Sequence, residues 1–222
     1  MTTGPLALVG GAEWTDGCSF DAELVEASGA GEVLVLPTAA AYEHPERAVA
    51  SATRWFEGLG ASVRPLMVLG RHDADEPANA EVVRAARFVY IGGGSPLHLR
   101  SVLKDSAVWD ALVWAWNDGA VLAGSSAGAM VLTDPMVDPR GGAFTVGLGL
   151  VAQLAVIPHH DSWSHDKARR TLELAQSGLP VVGIDERTAL LRDGDGGWRT
   201  AGAGRVHVWV DGEEADLGVL PR

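Results

Sequence analysis

The chain has 222 residues, 47% of them apolar and 21% charged, a balance of ordinary globular proteins that excludes collagen-like, disordered and disulfide-stapled miniature classes. Its 17 Lys plus Arg against 29 Asp plus Glu leave a formal charge of −12, a field that repels phosphate on average and argues against nucleic-acid binding. With Cys18 as the single cysteine, neither an internal disulfide nor a Cys-rich zinc site can form.

The start, Met1-Thr2-Thr3-Gly4, lacks the basic residues of a signal peptide, and the apolar run Pro5–Val9 lacks its length. No apolar stretch approaches the ~20 residues of a membrane span, so a cytoplasmic protein with no membrane partner is expected.

Short β-rich apolar runs alternate with longer stretches of three-to-four apolar spacing. In chain order the pattern predicts a strand at Leu6–Val9, a helix at Phe20–Ala27, a strand at Val33–Leu36 and a helix at Pro45–Gly58. A strand at Val63–Leu69, a helix at Pro77–Ala86, a strand at Phe88–Ile91, a helix at Val108–Asn117 and a strand at Val121–Ala123 follow. The last third offers strands at Ala155–Ile157, Val181–Ile184, Ala189–Leu191 and Val206–Val210, with a helix at Asp166–Gln176. Pro45 and Pro77 suit the first turn of a helix, where a missing N–H costs nothing. Asp193-Gly194-Asp195-Gly196-Gly197 reads as a hairpin turn.

Such alternation is that of βαβ units. The expected fold is α/β: a three-layer sandwich with a mostly parallel central sheet, helices on both faces and a small antiparallel C-terminal extension. Without repeats, low-complexity tracts or a Pro/Ser linker, residues 1–222 are expected to form one domain. In open sheets of this kind ligands bind at the carboxyl ends of the strands, so the loops leaving the strands are where chemistry belongs.

The strand Val121–Ala123 runs into Gly124-Ser125-Ser126-Ala127-Gly128, a G-x-S-x-G elbow followed by a helix-forming stretch. The sharp bend strains the central residue and exposes its hydroxyl, which makes Ser126 the nucleophile candidate and Ser125 second to it. The Ala127 amide, at the start of the next helix, points toward a developing oxyanion. Gly92-Gly93-Gly94 after the strand Phe88–Ile91 is neither G-x-G-x-x-G nor a phosphate loop, because Leu97 fills the last position and no Gly-Lys-Ser/Thr follows. Close backbone approach explains it better, with a Gly93 or Gly94 amide as second oxyanion donor.

The strand Ala155–Ile157 leads to Pro158-His159-His160-Asp161, which puts an imidazole at a strand's carboxyl end. His159 is the expected base and His160 the reserve. His160, Asp161, His165 and Asp166 do not have a metal-site spacing, and no metal or other cofactor is expected. Four carboxylates compete to orient the imidazole: Asp185 and Glu186 after Val181–Ile184, and Asp134 and Asp138 after the elbow helix. Spacing alone does not choose among them.

Taken together, Gly92-Gly93-Gly94, the Gly124–Ala129 elbow, the Pro158-His159 step and Gly183-Ile184-Asp185-Glu186 resemble the dipeptidase E and cyanophycinase family of serine peptidases. The likeness runs from Val9-Gly10-Gly11-Ala12-Glu13 through Leu36-Pro37-Thr38-Ala39-Ala40 to Ala189. It implies a class I glutamine-amidotransferase-like fold with serine in place of the usual cysteine. It also implies Ser126 as nucleophile, His159 as base and the Gly93 and Ala127 amides as oxyanion donors. By the cyanophycinase branch the acid is Glu186; by the dipeptidase E branch it is Asp134. The wording of the Gly183–Ala189 segment is closer to the first, so Glu186 is preferred. At His160 the chain departs from the family, which commonly has an aromatic there.

The resemblance implies hydrolysis of amides in small peptides next to aspartyl residues through an acyl-enzyme, by a monomer or homodimer. Arg169, Arg170 and Arg100 are candidate partners for an anionic side chain. The rival expectations are a non-catalytic binding or regulatory member of the same fold, and a serine esterase.

Overall fold

The computed structural model describes residues 3–140 and 142–222. Short β-rich runs become strands β1 (Leu6–Val9), β2 (Glu32–Leu36), β3 (Ser62–Pro65), β4 (Phe88–Ile91) and β5 (Val121–Ser125), all but β3 largely apolar and buried. Between them lie α1 (Phe20–Ser28), α2 (Pro45–Gly58), α3 (Arg71–Asp75), α4 (Pro77–Ala85), α5 (Pro96–Leu103) and α6 (Ala107–Asn117), and β5 passes directly into α7 (Ala127–Leu132). Four two-residue strands follow: β6 (Thr133–Asp134), β7 (Met136–Val137), β8 (Phe144–Thr145) and β9 (Val151–Ala152). The chain continues through β10 (Ala155–Ile157), α8 (His165–Glu173), β11 (Val181–Ile184), β12 (Thr188–Arg192), β13 (Trp198–Gly202), β14 (Val206–Val210) and β15 (Glu213–Ala215).

The central sheet has the order β13-β12-β1-β5-β4-β2-β3. Its five early strands are mutually parallel, and the β12–β13 hairpin closes the β1 edge antiparallel. Because side chains alternate across a strand, the four inner parallel strands β1, β2, β4 and β5 each feed two cores. Ala7, Val9, Val33, Val35, Phe88, Tyr90, Val121 and Ala123 pack with Phe20 and Leu24 of α1 and Ala52 and Phe56 of α2. On the other face Leu6, Leu8, Leu34, Leu36, Val89, Ile91 and Leu122 pack with apolar residues of α4 to α7. This is the three-layer α/β sandwich that the alternation predicts.

Three details differ from expectation. Strands β10-β11-β14-β15 form a separate four-stranded sheet, whose Ala155, Val156, Ile157, Val181 and Val182 join the core of the α4–α7 face. Strand β3 is the edge of the sheet and ends at Pro65, tolerated there because its side without an N–H faces away from β2; the Leu66 N–H makes the last bond, to the Val35 carbonyl at 2.9 Å, so the predicted run to Leu69 is cut short. Helix α5 was hidden among the glycine-loop signals. Its capping is nevertheless in the sequence: the Ser95 hydroxyl accepts the His98 N–H at 3.3 Å, and Pro96 stands in the first turn.

Candidate active site

The carboxyl ends of β1 and β5 lie side by side, with Val9 opposite Ser125, and the Ser126 N–H donates to the Val9 carbonyl at 2.9 Å. Two glycines after β1 then tie in the other loops. The Gly10 carbonyl accepts the His159 N–H at 2.7 Å, the Gly10 N–H donates to Thr188 at 2.9 Å, and the Gly11 carbonyl accepts the Arg187 N–H at 2.8 Å. One turn therefore fixes the serine, histidine and glutamate loops to one another through the backbone.

Ser126 has φ 49° and ψ −107°, a conformation that L-residues rarely adopt and that a sharp strand-to-helix bend enforces. Only glycines fit two positions to either side of it. A methyl group on Gly124 would come within 2.7 Å of the Gly128 carbonyl carbon, and one on Gly128 within 2.6 Å of the Ile91 carbonyl oxygen. As the first residue of α7, Ala127 carries an amide that the helix itself cannot satisfy, at the helix's positive end.

His159 Nε2 lies 2.9 Å from Ser126 Oγ, and its Nδ1 lies 2.8 Å from Glu186 Oε1. The histidine is itself held in the left-handed region, with φ 49° and ψ 38°. Asp161 Oδ1 accepts the Glu186 N–H at 3.1 Å, clamping the acid's loop to the histidine's. The imidazole and the Glu186 carboxylate are each about a third exposed, so solvent reaches the pair.

The other expected residues are placed elsewhere. Asp134 accepts the Gly147 N–H at 2.8 Å, and Asp138 is paired with Arg140 at 2.6 Å, which together with the Arg140 amide holds its carboxyl down at about 2. Ser125 is fully buried. Arg169 is spent on Glu173 at 2.7 Å along α8, Arg170 packs at Gly142, and the Arg100 Nε is buried without a hydrogen-bond partner among the described residues. His160 turns away from the serine toward Asp185, 3.4 Å from its carboxylate, and burial followed by the neighbouring His207 lowers its pKa.

Glu13 is the residue that the sequence reading missed. Its Oε1 accepts the Gly93 N–H at 2.9 Å and its Oε2 accepts the Ser125 hydroxyl at 2.8 Å. The amide expected to serve an oxyanion is thus engaged by a carboxylate. The signal was an acid two residues beyond the glycine pair that follows β1, in a loop that has to lie at the sheet's carboxyl edge.

The family model for peptidase family S51 matches residues 6–198. The chain belongs to peptidase family S51. The chain is 28% identical to a cyanophycinase of Trichormus variabilis over 70% of its length and 27% identical to a cyanophycinase of Synechococcus elongatus over 69%. It spans 56% of the first of these relatives and 51% of the second. The crystal structure of a peptidase from an acI-B1 Actinobacterium superimposes with a TM-score of 0.85 at 31% identity, covering 96% of this chain and 93% of that one. Among the described residues, no helix of this S51 member is long and apolar enough to cross a membrane.

Proposed function

We propose that the protein is a serine-dependent peptidase that hydrolyses an amide next to an aspartyl residue through an acyl-enzyme. The observation that carries this reading is the continuous chain from Ser126 Oγ through the His159 imidazole to Glu186, at 2.9 and 2.8 Å.

In the first step His159 Nε2 takes the Ser126 proton as Oγ bonds to the substrate carbonyl carbon, and the carbonyl oxygen becomes an oxyanion. Glu186 accepts the Nδ1–H, fixing the tautomer and stabilising the imidazolium. The Ala127 N–H meets the oxyanion. Gly93 supplies a second donor once the substrate oxygen displaces the Glu13 carboxylate, a group of the same charge on the same amide. His159 then returns the proton to the leaving amine as the C–N bond breaks. Water, activated by the same imidazole, releases the acid and regenerates Ser126.

The aspartyl preference rests on the cyanophycinase relatives and on the Gly183–Ala189 wording. An esterase of α/β-hydrolase type orders its residues as serine, acid, histidine, whereas here the acid follows the histidine. The test is turnover of a panel of α- and β-aspartyl dipeptides with alanyl and glutamyl counterparts. The reading expects cleavage confined to aspartyl members; cleavage of none, or of all alike, contradicts the specificity.

A further inference from the structure

Strands β11 and β14 pair antiparallel with Gly183 opposite His207, so the His207 side chain rises on the face where Gly183 has none. The gap is filled from a third segment. The His160 imidazole lies over Gly183, where a methyl group would come within 2.6 Å of its Cδ2 and 3.0 Å of Trp209 Cζ3. Two positions along from Gly183, Asp185 brings a carboxylate to the same place.

We propose that His160, Asp185 and His207 form a binding site for a divalent transition-metal ion of the zinc type, beside but separate from the serine, histidine and glutamate chain. Each residue offers one ligand atom, and the three atoms lie within 4.8 Å of one another, all partly sheltered from solvent. His160 Nδ1 and Asp185 Oδ1 are 3.4 Å apart. With metal–ligand bonds of about 2.0–2.1 Å, ligand atoms of a tetrahedral site are about 3.3 Å apart, so this pair already has the required spacing and His207 needs only a small shift. A carboxylate and two imidazoles suit zinc and its neighbours in the first transition row, and a fourth position is left for water.

The surroundings orient the ligands as metal sites do. Asp185 Oδ2 accepts the Arg205 N–H at 2.9 Å, which turns Oδ1 toward His160. His207 stacks on Trp209 at 5.6 Å and 11°, and His160 meets both rings at 4.8 and 5.2 Å. His160 adjoins His159, and Asp185 adjoins Glu186. An ion held by His160 and Asp185 ties together the two loops that carry the base and its carboxylate.

The test uses the whole chain, stripped with EDTA and freed of chelator, and titrated with Zn2+ by calorimetry and with Co2+ by visible absorption. The expected result is one ion per chain, ligand-field bands of a low-coordinate Co2+ site, and a Zn2+-dependent rise in Tm. His207→Gln should weaken binding by about tenfold or more while His44→Gln, at an exposed site, leaves it unchanged. Should His207→Gln fold poorly, His160→Phe asks the same question with an aromatic that fills the same space. Absence of stoichiometric binding, or binding indifferent to both substitutions, overturns the proposal. None of these readouts depends on Ser126, so failure here leaves the peptidase reading standing, and failure of that reading leaves this one.

Discussion

The imidazole of His159 lies directly over Gly11, whose φ is +120°; a methyl group there would come within 2.1 Å of its Cε1 and 2.5 Å of its Nε2. The glycine is therefore the floor on which the imidazole rests. Gly11→Ala should displace the imidazole, and a misplacement of about 1 Å costs on the order of 100-fold in rate. The rate of labelling by a fluorophosphonate, with circular dichroism to confirm folding, checks this. A folded variant that labels at the wild-type rate contradicts the placement of the base.

The acid can be assigned by paired substitutions. Glu186→Gln leaves a side chain that cannot stabilise imidazolium or enforce one tautomer, and labelling should fall by about 1,000-fold or more. Asp134→Asn can still accept the Gly147 N–H and should label within about twofold of wild type. The reverse order of effects would transfer the role to Asp134.

On the proposed mechanism, Glu13 competes with the oxyanion for the Gly93 amide. A hydrogen bond to a carboxylate is stronger than one to a neutral amide by about 1 kcal/mol, so Glu13→Gln should release the donor more easily and speed labelling by about fivefold. Slowing by tenfold or more would instead mean that the carboxylate builds the site.

Stability carries a pH signature of its own at Asp21. This carboxyl is fully buried, accepts the Trp55 Nε1–H at 2.8 Å, and leaves its other oxygen without a partner among the described residues. Burial above all, with Glu13 adding repulsion, raises its pKa to about 7. A raised folded-state value means that the unfolded chain releases this proton first. The contribution of Asp21 to stability is whole below about pH 4 and is lost as pH rises to about 7, by at most about 4 kcal/mol. Asp21→Asn should therefore be more stable than wild type in urea at pH 8, with the advantage shrinking or reversing at pH 5. An advantage that is the same at both pH values would contradict the burial of an ionisable group there.

What the sequence makes legible follows the range of the interactions. Strands β1, β2, β4 and β5 read directly because both their faces are buried, leaving unbroken apolar runs such as Leu6–Val9 and Phe88–Ile91. The elbow is equally plain, since Gly124 and Gly128 are dictated by contacts within a few residues or with the adjacent strand. Glu13 was not legible because its partners, Gly93 and Ser125, are 80 and 112 residues away and meet it only through the sheet order. The same holds for His160. Read locally, it grouped with Asp161, His165 and Asp166, whereas the pairing of β11 with β14 sets it beside Asp185 and His207.

Activation of one serine hydroxyl is the claim on which the account turns. Incubation with a fluorophosphonate followed by peptide mass spectrometry measures it without any assumption about substrate. The account predicts a single phosphonylated residue, Ser126, and no labelling of Ser126→Ala; an unreactive wild-type protein, or a Ser126→Ala variant that labels as well as wild type, would contradict it.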